Sequence, residues 1–177
     1  MIINLFPTDL FVGYIDTSKI IFEKEKEVEI INHWASETPS TFDGDVSNKN
    51  ILKKESLEYL LKIIADLLHE RFHRFELKLQ NVWTNHYKEK DYQEPHVHGG
   101  SNYSFIIYKN VKKSRTYFVR DNHDLVQNFN MDKSYPIRYE LECVNNQIAV
   151  FPSFLRHGVK SASNEETIAG NIEFKLK

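Results

Sequence analysis

Asp91-Tyr92-Gln93-Glu94-Pro95-His96-Val97-His98-Gly99-Gly100 places two imidazoles two positions apart, between a proline and a pair of glycines. In an extended strand, residues i and i+2 project from the same face, about 7 Å apart along the backbone. Neutral imidazole is the commonest metal ligand among side chains, so His96 and His98 are a candidate chelating pair. Pro95 removes one backbone donor and biases Glu94 toward extended geometry, which suits an edge strand. Gly99-Gly100 permits a sharp exit. The pair needs a third ligand from elsewhere in the chain. His157 is the best candidate: it follows the apolar run Ile148-Ala149-Val150-Phe151 and the turn Pro152-Ser153, with Gly158 beside it.

Around this segment the chain reads as many short strands. The runs 77–83, 102–108, 115–120, 135–141, 147–151 and 168–176 are rich in β-branched and aromatic residues, and turns such as Gly99-Gly100 and Asn145-Asn146 separate them. The N-terminal part differs. The first 15 residues read as extended, broken by Pro7-Thr8-Asp9. A helix capped by Thr17 or Ser18 is expected over 19–34. Residues 36–50 have the composition of a surface loop. The clearest helix is expected over 54–75, where Leu57, Leu60, Leu61, Ile64, Leu67 and Leu68 form one apolar stripe. Helices followed by strands predict an α+β domain. Its core would be a double-stranded β-helix, or jelly roll, with N-terminal helices packed on one sheet. Such a roll brings distant strands together, as His96, His98 and His157 require.

With 177 residues, 41% hydrophobic and 27% charged, the chain makes one domain with a sizeable core. Residues 1–80 would supply N-terminal strands and helices, and 81–177 the metal-bearing core. A formal charge of −2 carries no basic excess, which argues against a nucleic-acid partner. Cys143 is the only cysteine, so no internal disulfide or CxxC site forms. No apolar run is long enough to span a membrane, and residues 1–7 do not read as a secretory signal. A cytoplasmic protein is the expectation.

Among the eight histidines, His33, His86 and His123 have no ligand context and read as surface or packing residues. His69-Glu70-Arg71-Phe72-His73 matches the zinc-protease His-Glu-x-x-His pattern on an expected helix. Neither a third histidine nor a glutamate on a following helix completes it, so the protease reading ranks low.

Residues 82–171 resemble a group of 2-oxoglutarate/Fe(II) oxygenases of bacteria and phages, related to the prolyl-4-hydroxylases. The resemblance rests on Trp83-Thr84-Asn85, then His96-Val97-His98, Ser101, Ser104 and Tyr108. It continues in Phe151-Pro152-Ser153-Phe154-Leu155-Arg156-His157-Gly158-Val159 and the terminal strand reaching Asn171. Tyr87, nine residues before His96, also fits. The Ser47-Asn48-Lys49-Asn50-Ile51-Leu52 stretch resembles the group's N-terminal half. The resemblance implies Fe(II) held by His96, His98 and His157, with 2-oxoglutarate and molecular oxygen as cosubstrates. It implies hydroxylation of an unidentified substrate, for which a peptidyl proline or a small metabolite is compatible.

Two departures stand out. His98 occupies the place usual for a carboxylate ligand, so one unit of the ion's charge stays uncancelled. Thr167 stands where an arginine normally pairs with the far carboxylate of 2-oxoglutarate. Tyr87, Tyr108 and Lys160, together with Thr167, are the candidates to hold that end. Two alternatives stay open: a three-histidine metal β-barrel protein that uses no 2-oxo acid, and a non-catalytic binding module of the same fold. A homodimer is compatible with either.

Overall fold

The computed structural model describes residues 8–25, 27–30, 50–112, 115–160 and 164–177. Strand β1 (Phe11–Tyr14) leads through a single 3-10 turn to β2 (Phe22–Lys24), β3 (Glu27–Ile30) and β4 (Ile51–Leu52). Helix α1 (Lys54–Leu68) follows, then β5 (Phe75–Tyr87), β6 (Gln93–His96), β7 (Tyr103–Asn110) and β8 (Arg115–Val119). A short helix α2 (His123–Asn128) precedes β9 (Arg138–Glu142), β10 (Gln147–Pro152), β11 (His157–Lys160) and β12 (Glu165–Leu176). The chain is therefore mainly β.

Ten of these strands form two sheets. The larger has the order β1-β10-β7-β12-β5-β3, and the smaller β6-β11-β8-β9. All pairings are antiparallel except β3 with β5. The non-sequential order means that strands far apart in the chain lie side by side, as in a jelly roll.

Strict alternation explains how two cores share the larger sheet. Ile106 and Tyr108 of β7, Ala149 and Phe151 of β10 and Ala169 of β12 face the smaller sheet, where they pack with Phe118, Leu141 and Val159. Their neighbours Phe105, Ile107, Ile148, Val150, Ile168 and Ile172 face the other way and pack with Leu60, Ile64 and Leu68 of α1. Strands buried on both faces read as continuous apolar runs, which is why Phe105–Tyr108 and Ile148–Phe151 stand out in the sequence.

The N-terminal half departs from expectation. The layer of several helices is not found: α1 is the one α-helix among the described residues before β5. The helix expected over 19–34 is replaced by β2 and β3 where it is described, and its end at 31–34 lies outside the described residues. The reason is period. Glu27-Val28-Glu29-Ile30 alternates charged and apolar residues, the pattern of a strand. Most of the loop expected over 36–50 also lies outside the described residues. Helix α1 stops at Leu68, short of the expected Phe75, because its buried stripe of Ser56, Leu60, Ile64 and Leu68 ends there. His69–Arg71 form turns and Phe75 opens β5. His69 and His73 therefore do not lie on a helix face. The His69 ring packs on Phe75, with centroids 4.7 Å apart, and its Nδ1 meets the Phe72 carbonyl at 3.1 Å. The zinc-protease arrangement is absent. Helix α2 lies within the polar segment 121–134.

Candidate metal centre

His96 ends β6 and His157 opens β11, and the two are cross-strand partners. Gly158 lets these strands close. A Cβ at 158 would stand 2.6 Å from the Gln93 carbonyl and 2.7 Å from the Tyr117 ring, so a side chain there would push β6 and β8 away. His98 lies beyond the end of β6, contrary to the expectation that both histidines share one strand. Its backbone N–H donates to the Ser153 carbonyl at 3.0 Å, which ties the 97–100 loop to the turn before His157.

The three rings meet. Centroids are 4.4 Å apart for His96–His157, and 5.1 Å for both His96–His98 and His98–His157. One ring nitrogen from each lies within 4.8 Å of the others. Among the described residues this is the one cluster of three or more histidine, cysteine or acidic side chains with metal-binding spacing.

Supporting contacts set the tautomers. His96 Nδ1 meets the Glu94 carbonyl at 2.9 Å, and His157 Nδ1 meets the Leu155 carbonyl at 2.9 Å. A carbonyl only accepts, so both Nδ1 atoms carry the proton and leave the Nε2 lone pairs available. His98 Nε2 lies 3.2 Å from His96 Nε2. Trp83 stacks on the His98 ring at 5.8 Å and 17°, and Asn171 hydrogen-bonds that ring. Asn171 is itself held by Ser104 and Asn81.

Burial keeps the imidazoles neutral. It is the main cause that lowers His157 well below the ordinary histidine range, assisted by repulsion from His96 and His98. Burial likewise brings His98 down to about 4, with repulsion from His96 second, while the Asn171 contact opposes it. His96 is lowered by burial and by the Arg156 charge, against the Glu94 contact. Three neutral nitrogen donors on one side of a partly enclosed site fit a divalent first-row ion and leave other coordination positions open.

A pocket opens beside the three rings. Tyr87, Tyr108 and Thr167 all line it, together with Asn85, Gln93 and Thr116. Lys160 does not. It is exposed at the far end of β11, where its ammonium lies 3.3 Å from Glu140. The reading of Lys160 as a cosubstrate residue is therefore corrected: His157 and Lys160 are three apart, an odd step along a strand, so their side chains leave opposite faces. Trp83, Asn85, Gln93 and Thr116 are wall residues to which the sequence assigned no role, and Asn171 beside His98 had none either. Trp83, Asn85 and Asn171 stood out only as part of the family resemblance; for Gln93 and Thr116 the signal is period two, which becomes readable once strand register is known.

The family model described as "Putative 2OG-Fe(II) oxygenase" matches residues 81–169, half of the chain. No curated protein matches it. Among solved structures, an oxidoreductase of the 2OG-Fe(II) oxygenase family from Burkholderia pseudomallei has a TM-score of 0.49 and 11% identity, covering 93% of this chain and 68% of that one. HygX from Streptomyces hygroscopicus with iron bound has a TM-score of 0.44 and 10% identity, covering 66% and 64%. A Pseudomonas putida prolyl-4-hydroxylase has a TM-score of 0.39 and 14% identity, covering 68% and 61%. The chain thus spans roughly two thirds of the length of these structures. The family match covers β5 to β12 as far as Ala169, the stretch that carries all three imidazoles, and the chain belongs to the 2-oxoglutarate/Fe(II) oxygenase family.

Proposed function

We propose that this protein hydroxylates a C–H bond of an organic substrate, with Fe(II) held by His96, His98 and His157 and 2-oxoglutarate seated in the pocket beside them. The observation that carries the reading is the convergence of three neutral imidazoles, two of them held in one tautomer by carbonyls, at the mouth of a pocket whose far wall is hydroxyl-rich. Bound iron supplies the oxidising chemistry, in which 2-oxoglutarate and oxygen become succinate and carbon dioxide and one oxygen atom enters the substrate.

The chain's own residues do the rest. The Glu94 and Leu155 carbonyls hold two rings by Nδ1, so that Nε2 faces the ion. Trp83 and Asn171 orient the third ring. Phe118 and Phe151 pack against His157 at 6.2 and 4.6 Å and keep water from its inner side. Tyr87, Tyr108 and Thr167 line the part of the pocket that receives the cosubstrate. The substrate enters past the exposed Val97 and Phe154, which flank the ligand-bearing loops. A peptidyl proline and a small metabolite are the two substrate classes to compare first.

The test is to load the protein with Fe(II) under nitrogen, add 2-oxoglutarate and then oxygen, and follow succinate with and without candidate substrates. Succinate that depends on iron and disappears in His96→Ala supports the reading. Because His98 leaves the ion's charge uncancelled, a second reading is a three-histidine metal protein that uses no 2-oxo acid. Stoichiometric iron with no calorimetric signal for 2-oxoglutarate would establish that alternative.

A further inference from the structure

The pocket beyond the imidazoles is layered. His157 pairs with His96 and Phe118, and two residues further along β11, across a register shift on β6, Val159 lies opposite Gln93 and Thr116. On the larger sheet the inward rows are Asn81–Asn171–Ser104, then Trp83–Ala169–Ile106, then Asn85–Thr167–Tyr108. The layer at the histidines is polar. On the larger sheet the next is apolar, with Trp83, Ile106 and Ala169, while on the smaller sheet Val159 shares its row with Gln93 and Thr116. The last is polar again.

This last layer holds two hydrogen-bonded sets of neutral groups. Tyr108 donates to Thr116 Oγ1 at 2.7 Å. Asn85 Nδ2 donates to Thr167 Oγ1 at 3.2 Å, and Trp83 Nε1 donates to Asn85 Oδ1 at 2.9 Å. Tyr87 bonds Thr167 and reaches Gln93 Oε1 at 3.4 Å. Burial raises both phenols above their usual range, so they remain protonated donors. Among the described residues, no lysine or arginine lines the pocket.

A polar end at the ion, an apolar middle and a polar floor match a short 2-oxo dicarboxylic acid: its 2-oxo acid head, its methylenes and its far terminus. One strand step of two residues, about 6.6 Å, separates Thr116 from the His157 row. We infer that the floor formed by Tyr87, Tyr108, Thr116 and Thr167 recognises the far terminus of the 2-oxo acid through hydroxyl hydrogen bonds, without an ion pair, and therefore accepts an uncharged acceptor there nearly as well as a carboxylate. The inference rests on the reading under Proposed function and deepens it to cosubstrate selectivity. A buried ion pair that loses one partner leaves an uncompensated charge, a large discrimination by charge. A floor of neutral donors lacks that source of discrimination, but it still rejects a terminus that cannot accept a hydrogen bond.

The experiment titrates the Fe(II)-loaded protein under nitrogen with 2-oxoglutarate, 2-oxoglutaramate (the amide isostere of its far carboxylate) and 2-oxopentanoate (a methyl terminus), reading affinity by calorimetry. The expected result is that the first two bind within about tenfold of each other, and both at least tenfold tighter than the third. A preference for 2-oxoglutarate over its amide of more than tenfold overturns the inference and leaves the oxygenase reading intact. Equal binding of all three overturns it as well. If none of the three binds while iron does, the reading under Proposed function falls and the inference falls with it. In Thr167→Val, affinity for both 2-oxoglutarate and its amide should drop together by about tenfold with iron affinity unchanged. A parallel loss of iron would show a structural role instead and count against the assignment.

Discussion

His157 sits directly opposite His96 across the β6–β11 pairing, with the two ring centroids 4.4 Å apart. Both rings are clamped at Nδ1 by a carbonyl two residues earlier in their own strand or turn. The same local device, used twice, presents two Nε2 atoms to one point, and His98 closes the set.

Removing a ligand should remove the metal. His157→Ala is expected to weaken Fe(II) binding by more than about 100-fold, beyond the 10–100-fold typical of losing a supporting group. Metal content after gel filtration, with circular dichroism to verify folding, checks this. Retention of stoichiometric iron would contradict the site.

The supporting groups should matter less, but measurably. Asn171→Ala deprives the His98 ring of its partner and leaves Ser104 and Asn81 to find others. Iron affinity should fall by about 10–100-fold. Denaturant unfolding should show a loss of about 1–3 kcal/mol from the disturbed buried network.

The metal-free protein should lose stability in acid through these histidines. Their folded pKa values lie below the ordinary value of 6.5, with His98 at about 4. A group depressed in the folded state binds protons more readily when unfolded, so its contribution is full above about pH 6.5 and is lost as pH falls toward 4. Melting temperatures across that window should drop more steeply for the wild type than for His98→Gln. Bound iron should extend the protein's acid tolerance, since the ion competes with the proton for the same lone pairs.

Gly158→Ala tests the closing of the two strands. The added methyl would meet the Gln93 carbonyl at 2.6 Å, a backbone atom that cannot swing aside. A cost of about 1–3 kcal/mol in stability is expected. Because the strain separates β6 from β11, iron affinity should fall too, although no ligand is touched.

The core under α1 should be separable from the site. Leu60 is wholly buried against the outer face of the larger sheet. Leu60→Ala should cost about 2–5 kcal/mol in urea unfolding. Iron affinity measured well below the unfolding transition should stay within about twofold, because none of the ligands packs in that cluster.

By itself the sequence determined the residue types and the local periods. The i, i+2 histidines, the apolar stripe of α1 and the doubly buried runs 105–108 and 148–151 are local patterns, and local sterics make such patterns legible. It also singled out His157 as the candidate third ligand, through the turn and glycine around it, and the structure brings that ring beside His96 and His98. Register was decided only in three dimensions. Whether Thr167 meets Tyr108 or a neighbour depends on how β12 slides against β7, and a slip of one residue would send every inward side chain outward. For the same reason the sequence paired Lys160 with the pocket while the strand turns it to Glu140. Charged residues at 22–30 also masked a strand as a helix. Their alternation is weak evidence until a sheet edge is there to pair with, and β5 supplies one at a distance that no window of sequence spans.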